Sequence, residues 1–155
     1  MKKIIRIMAI TSLLMFITGC GSKTNTQTLT CTKTSTDEDG YKTTDTIEVT
    51  AKEDKVIKVI DTNVSEVDPN YLDFTFNLSS GLSETINKLD GMNIVYTKED
   101  NNKIKFVMTV DFAKLNTESI KDAFGDLYDE NNFYSEKDIT LEKFKENNLK
   151  DYTCK

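Results

Sequence analysis

The sequence predicts an α+β fold in which a five-stranded, mainly antiparallel sheet carries its helices on one face. Two observations predict this class. In several runs rich in Thr and other β-branched residues, apolar and polar residues alternate, and turn-forming residues separate these runs. Three other segments show helical spacing, and each follows a capping residue. Together they predict the element order βββαββαα.

Three strands come first, at residues 29–35, 41–51 and 56–62. The intervening turns contain Asp, Glu and Gly, at residues 36–40 and 53–54. Short connections of this kind join antiparallel neighbours, so we expect a three-stranded meander.

A helix is predicted next, at residues 69–89. Asp68 stands at its N-cap and Pro69 at its first position, where a missing N–H costs nothing. Val67 and Leu72 have the spacing of a hydrophobic staple, and Gly91 follows the C-terminus. Four apolar residues are expected to line its buried face: Leu78, Leu82, Ile86 and Leu89.

A second hairpin and two short helices complete the predicted domain. Its strands occupy residues 92–98 and 103–112. Asn116 is the expected cap of a helix that ends at Gly125, and Thr140 that of a last helix ending near residue 148. Residues 151–155 have the composition of a frayed end, but a bond between Cys154 and Cys31 would pin this end beside the first strand.

The first twenty residues have the pattern of a bacterial export signal. Lys2, Lys3 and Arg6 precede an apolar stretch at residues 7–17, and Ile17-Thr-Gly-Cys20 has the form of a lipobox. A transmembrane anchor or buried helix is the alternative, but the apolar stretch is short for a span. We therefore expect a signal peptide at 1–19, lipid attachment (including palmitate) at Cys20, a flexible tether at 20–28 and one domain at 29–155. The lipid would hold the domain at the extracytoplasmic face of the cell membrane.

Charge and composition narrow the function. Removal of Lys2, Lys3 and Arg6 leaves 17 of the 20 basic residues against 26 acidic ones, a formal charge of −9. The only Arg leaves with the signal, so nucleic acid is not an expected partner. The absence of His excludes Ser-His-Asp catalysis and the usual zinc sites. These exclusions favour a protein that is not an enzyme.

The remaining cysteines, Cys31 and Cys154, form an even pair in a chain expected to leave the cytosol. A disulfide between them is predicted, with two buried free thiols as the alternative. Because the bond would enclose almost the whole domain, the chain-entropy model gives a stabilisation of about 4 to 5 kcal/mol.

Several acidic and aromatic residues could form metal, catalytic or ligand sites, but structural roles also explain their presence. Asp37-Glu-Asp39 and the segment from Asp126 to Asn132 offer oxygens to calcium, but the EF-hand spacing fails, so no metal or cofactor is predicted. Asp111 follows an apolar strand and is expected to bond a backbone N–H rather than act as a catalytic acid. Five aromatic residues are expected in the core, or alternatively around an apolar pocket: Tyr71, Phe74, Phe76, Phe106 and Phe112.

Several segments resemble the YehR-like small bacterial lipoproteins. They are the lipobox at Cys20, Asp54-Lys-Val-Ile-Lys58, Asn93-Ile-Val-Tyr-Thr97 and the stretch from Ile104 to Leu115, whose most specific part is Val110-Asp-Phe-Ala-Lys-Leu115. The resemblance implies lipid attachment at Cys20 and an α+β domain. The resemblance implies no catalytic residues, and the Cys31–Cys154 pair is not part of the family pattern.

These observations together predict a membrane-anchored bacterial lipoprotein that acts as a non-enzymatic binding or interaction module. Its partners would be the membrane, through Cys20, and an envelope protein or small ligand. A carboxylate-dependent hydrolase of the cell envelope is the alternative. A structural lipoprotein without a discrete ligand is a third possibility.

Overall fold

The computed structural model describes residues 25–100, 102–125, 136 and 138–155. The described residues form a sheet and three helices. The strands are β1 (Thr26–Thr36), β2 (Lys42–Lys52), β3 (Lys55–Glu66), β4 (Met92–Glu99), β5 (Lys103–Asp111) and β6 (Thr153–Cys154). The helices are α1 (Leu72–Ile86), α2 (Thr117–Phe124) and α3 (Leu141–Asn148). No helix in these ranges is long and apolar enough to cross a membrane.

The sheet is antiparallel throughout, in the order β4-β5-β3-β2-β1-β6. This confirms the predicted α+β class, the β1–β2–β3 meander and the β4–β5 hairpin. The predicted number of five strands is wrong, because the C-terminal residues form a sixth. Thr30 and Lys155 exchange two backbone hydrogen bonds of 3.3 and 2.9 Å, which hold β6 against β1. The C-terminus is therefore an edge strand beside β1, where a bond between Cys154 and Cys31 was expected to pin it.

The first strand begins at Thr26, three residues earlier than expected. Thr26, Gln27 and Thr28 pair with the end of β2, so part of the predicted tether belongs to the sheet. The chain just before it is also held, since the Glu53 N–H donates to the Asn25 carbonyl over 3.0 Å. Residues 20–24 lie outside the described residues.

Helix α1 is shorter than predicted and begins at Leu72 rather than Pro69. The Asp68 side chain accepts from the Asn70 N–H (2.8 Å), and the Tyr71 N–H donates to the Asp68 carbonyl (2.9 Å). These bonds form a turn before the helix, so Asp68 is not the N-cap. Leu78 is 59% exposed, which contradicts its predicted place on a buried face. The side chain of Leu82 lies outside the described residues.

The other two helices begin as predicted. The Asn116 side chain accepts from the Ser119 N–H, and the Thr140 side chain accepts from the Lys143 N–H. These two side chains therefore satisfy amide groups that the first turns leave free.

All three helices lie on one side of the sheet. Next to α2 and α3, the inward side chains of the sheet are apolar and belong to one buried cluster. On β2 and β3 this cluster includes Ile47, Val49 and Val59. Residues of α2, α3 and their loops complete it: Leu115, Ile120, Ile139, Phe144 and Leu149. The core thus occupies one half of the inward face, and the side chains on the other half do not belong to this cluster.

Candidate functional site

The second half of the inward face is polar on β2 and β3. Side chains that pair directly across antiparallel strands point to the same face of the sheet. Asp45 lies opposite Asn63, two residues from Ile47 on β2, and Asp61 lies opposite Ile47, two residues from Val59 on β3. The core face therefore continues as a floor of polar residues on β2 and β3.

One part of this floor is neutral and internally hydrogen-bonded. The hydroxyl oxygens of Thr43 and Ser65 lie 3.1 Å apart, and the Ser65 hydroxyl donates to Asn63 Oδ1 over 2.7 Å. Ser65 thus links neighbouring strands through side chains in addition to the backbone ladder. These contacts fix the orientation of the Asn63 amide.

The other part is a pair of carboxyl groups with a phenol. The Tyr152 hydroxyl donates to Asp45 Oδ2. Burial raises the pKa of Asp61 to about 7, and its hydrogen bond and charge interaction with Asp45 act in the same direction. The pKa of Tyr152 is also raised, first by burial and then by the nearby carboxylates. Tyr152 is therefore a stable hydrogen-bond donor to Asp45.

Two carboxyl oxygens in this pair, Asp45 Oδ1 and Asp61 Oδ1, are buried and have no conventional donor among the described residues. Buried acceptors without a donor are costly. A single proton held between the two carboxyl groups gives both oxygens a partner, and the raised pKa of Asp61, due first to burial and then to Asp45, favours keeping that proton. The pair can therefore hold and release one proton near neutral pH.

A groove of about 370 Å³ opens beside this pair. Its floor is Asp61, Asn63 and Ser65, and Thr75 and Ser79 of α1 form one wall. The remaining lining is apolar or aromatic: Val67, Tyr96, Ile104 and Phe106. No Lys is among these lining residues, so the groove contains neutral polar groups, apolar surface and one acidic group.

Two aromatic side chains of this lining lie against each other. The ring centroids of Tyr96 and Phe106 are 5.2 Å apart, with an angle of 48° between the planes. Burial raises the pKa of Tyr96, which keeps its hydroxyl protonated. The rings give the groove a preorganised apolar side.

The C-terminal residues 151–155 lie at the β6 edge of the sheet, opposite the β4 edge that α1 contacts, and we call them the C-terminal clasp. Cys31 and Cys154 are joined by a disulfide with a Cα–Cα distance of 4.0 Å, below the roughly 7 Å above which two cysteines cannot be bridged. Asp151 forms an ion pair with Lys33 at 3.3 Å, and the Lys33 ammonium lies 5.8 Å from the centre of the Tyr152 ring. The clasp therefore places Tyr152 on the acid pair.

The other residues considered from sequence have structural roles or lie elsewhere. Asp111 Oδ1 accepts from the Ala113 N–H at 3.1 Å, as expected of a residue at a strand end. Asp37 Oδ1 accepts from the N–H groups of Asp39 and Tyr41, so the first acidic cluster closes a turn. Cys20 and the second acidic cluster at 126–132 are outside the described residues, within which no group of three potential metal ligands occurs.

The five aromatic residues do not form one group. Phe112 is in the core and Phe106 lines the groove. Phe76 is half-buried, and the Lys98 ammonium lies 4.7 Å from its ring centre. Tyr71 and Phe74 are 63% and 68% exposed, so the expectation that they belong to the core is wrong.

Sequence reasoning missed Asp45 and Asp61. A usable signal was present, because each occupies an inward position in the period-two pattern of its strand, two residues from a buried aliphatic side chain. An acid at such a position requires either a partner or a raised pKa.

Two solved structures are similar to this chain. One is the NMR structure of a protein from Streptococcus pneumoniae TIGR4, with a TM-score of 0.60, 15% identity, and coverage of 100% of this chain and 99% of that chain. The other is the NMR structure of the E. coli YehR protein, with a TM-score of 0.52, 18% identity, and coverage of 76% and 83%. No protein-family model and no curated protein matches the sequence. The similarity shows that the chain has a YehR-like fold.

Proposed function

We propose that this chain is a YehR-like bacterial lipoprotein that presents a ligand-binding domain at the extracytoplasmic face of the cell membrane. The signal peptide is cleaved before Cys20, which receives the lipid. The observation that carries the binding role is the groove beside Asp61, which combines preorganised hydrogen-bond acceptors with an aromatic side. The proposed activity is binding without catalysis, directed at a small ligand or an envelope protein.

The position of the groove suits a domain anchored through its N-terminus. Thr26 is six positions after Cys20, a reach of at most about 22 Å. Thr26 lies at the end of the sheet where Lys52 pairs with Lys55. Ser65 is ten residues further along β3, about 30 Å from that end. The anchor thus holds one end of the domain near the bilayer and leaves the groove at the other.

The lipid anchor is tested by replacing the modified residue. Cys20→Ala is expected to abolish incorporation of labelled palmitate and to leave unprocessed precursor, because the lipidated thiol is lost. Cys154→Ala, which also removes one thiol, is the matched control and should retain the label. Labelling that persists in the Cys20→Ala protein would refute the anchor.

The binding role is tested by filling the groove. Thr75 lines the groove from α1, whereas Asn77 lies on the same helix and is exposed outside it. Ligands retained by the purified protein from a solubilised envelope extract should be lost in Thr75→Trp and kept in Asn77→Trp. Equal retention by the two variants would exclude the groove as the binding site.

The acid pair keeps a carboxylate-dependent hydrolase as the second candidate. A pair that shares a proton is one arrangement used in acid catalysis. The glycosidase arrangement needs carboxyl groups about 5 Å or more apart, and groups in direct hydrogen-bond contact do not provide it. Hydrolysis of an envelope polymer that disappears in Asp45→Asn would establish this alternative over binding alone.

A further inference from the structure

We propose that the groove, in the binding role given above, takes a small molecule in which a protonated amine is attached to an aromatic or aliphatic body. The ammonium lies against the carboxylate of Asp61 and the oxygens of Asn63 and Ser65. The apolar body lies on Tyr96 and Phe106.

Charge complementarity selects the ammonium. Asp61 is the only carboxyl group among the described residues that line the groove, and none of these residues is cationic. Lysines elsewhere on the domain have acidic partners: Lys33 with Asp151, Lys98 with Asp73 and Lys103 with Glu66. An anionic ligand would therefore meet an acidic floor with no compensating cation, at a cost in desolvation and repulsion.

The groove is better suited to an organic cation than to a metal ion. Calcium requires six to eight oxygen ligands, and the described residues contain no cluster of three acidic or other metal-binding side chains. An ammonium needs only about three acceptors, which Asp61, Asn63 and Ser65 supply from alternate positions on one strand, all on the same face of the sheet. A volume of about 370 Å³ is at the small end of pockets that hold small molecules.

Aromatic surface beside an acid favours an amine with an apolar body. The Tyr96 and Phe106 rings form a contact surface on β4 and β5, and the Tyr96 hydroxyl is in hydrogen-bond contact with Ser79 of α1. Burial of an apolar body on this surface contributes to the binding free energy in proportion to the apolar area removed from water. Cations also bind favourably next to aromatic rings. A hydrophilic amine without such a body would leave this side of the groove unused.

Binding of the ligand's ammonium displaces the proton that the acid pair holds in the free protein. In the free protein, the proton shared by Asp45 and Asp61 keeps the pair from carrying two charges. When the ammonium arrives, this proton leaves to solvent and the carboxylate of Asp61 faces the cation. The titratable or charged groups around Asp61 are Asp45 on β2, Tyr152 and Asp151 on the C-terminal clasp, Lys33 on β1 and Tyr96 on β4.

The test compares three probes that share a phenyl ring and a short chain: phenethylamine, phenethyl alcohol and hydrocinnamate. Binding to the purified protein is followed by calorimetry and by NMR shifts of Tyr96 and Phe106. Phenethylamine should bind at least about tenfold more tightly than the alcohol, and hydrocinnamate should not bind. Because a proton must leave, the affinity for the amine should be about tenfold lower near pH 6 than near pH 8.

The matched variants are Asp61→Asn, which keeps the size of the side chain, and Asp122→Asn, which makes the same change on the exposed surface of α2. Asp61→Asn should abolish both the preference for the amine and its pH dependence, and Asp122→Asn should keep both. If the alcohol binds in the groove as tightly as the amine, the ammonium proposal is overturned and the groove remains a binding site. If none of the probes shifts Tyr96 or Phe106 at millimolar concentration, the groove fails as a small-molecule site altogether.

Discussion

Asp45 and Asp61 differ from solvated surface acids, because they alone among the described residues have buried side-chain oxygens without a donor. Each has an oxygen that is buried without a conventional donor, and the Tyr152 hydroxyl binds the opposite oxygen of Asp45. Two ionised carboxylates so close together repel each other, whereas one shared proton removes the repulsion. The same proton makes the stability of the fold depend on pH.

The direction of this dependence follows from the Asp61 pKa, which is about 7 in the folded chain against an ordinary value of 3.8. Between these two values the folded protein keeps a proton that the unfolded chain releases. The pair's contribution to stability is therefore fully present below about pH 4 and is lost as the pH rises through about 7.

The Asp61→Asn variant tests the direction of this pH dependence of stability. Its amide donates to Asp45 without needing a shared proton. We expect its free energy of unfolding, relative to the wild-type protein, to increase as the pH is raised from about 5 to about 8. Urea unfolding at the two pH values measures the difference. A wild-type-to-variant difference that stays constant with pH, with Asp122→Asn as reference, would contradict the shared proton.

Among the elements, the start of β4 is set by one glycine. Gly91 has φ = +82°, and a Cβ atom there would lie 2.7 Å from the Asp111 carbonyl oxygen and 2.7 Å from the Leu115 nitrogen. These are backbone atoms of the segment that leaves β5. The Gly91 carbonyl also accepts from the Asp111 N–H at 2.7 Å. Only glycine permits both this conformation and this close approach.

A comparison of two glycine substitutions tests this role. Gly91→Ala should destabilise the protein by about 2 to 4 kcal/mol, because both the backbone conformation and the contact become strained. Gly81 lies inside α1 with nothing within 4 Å of its Cβ position, so Gly81→Ala should stabilise by about 0.5 to 1 kcal/mol. Urea denaturation of both variants measures the two changes. A Gly91→Ala protein as stable as the wild type would refute the steric argument.

The start of helix α1 depends on a competition between a helix cap and a turn at Asp68. Asp68 and Pro69 have the residue types of a helix start, yet the Asp68 side chain closes a turn with Asn70 instead. The helix then begins without a side-chain cap at Tyr71. At its other end, the Asn87 amide bonds both the N–H and the carbonyl of Ile94. These two bonds connect the end of α1 to the edge strand β4 and fix the wall of the groove.

For the molecule as a whole, the disulfide joins the first strand to the last. Cys31 is fully buried in the core, whereas Cys154 is exposed on β6. The bond links residues 123 positions apart, so it restricts nearly the entire unfolded domain. It also holds the C-terminal clasp, and with it Tyr152, against the acid pair.

Cys154→Ala isolates the effect of this bond, because it removes no buried side chain. We expect a loss of about 4 to 5 kcal/mol in the free energy of unfolding, from the increased entropy of the unfolded chain. Denaturation of the wild-type protein with and without a thiol reductant supplies the control, and the reduced wild type should match the variant. No change on reduction would show that the bond contributes nothing to stability.

The sequence by itself determined the elements that depend on nearby residues. The alternating runs predicted strands β1 to β5, and Asn116 and Thr140 marked two helix starts, because periodicity and capping act over a few positions. Only the tertiary structure decided what pairs across the chain. Asp45 and Asp61 become neighbours through the β2–β3 register, Tyr152 reaches Asp45 across 107 positions, and β6 forms because Thr30 binds Lys155. The groove arises from these long-range pairings, whose geometry no local pattern encodes.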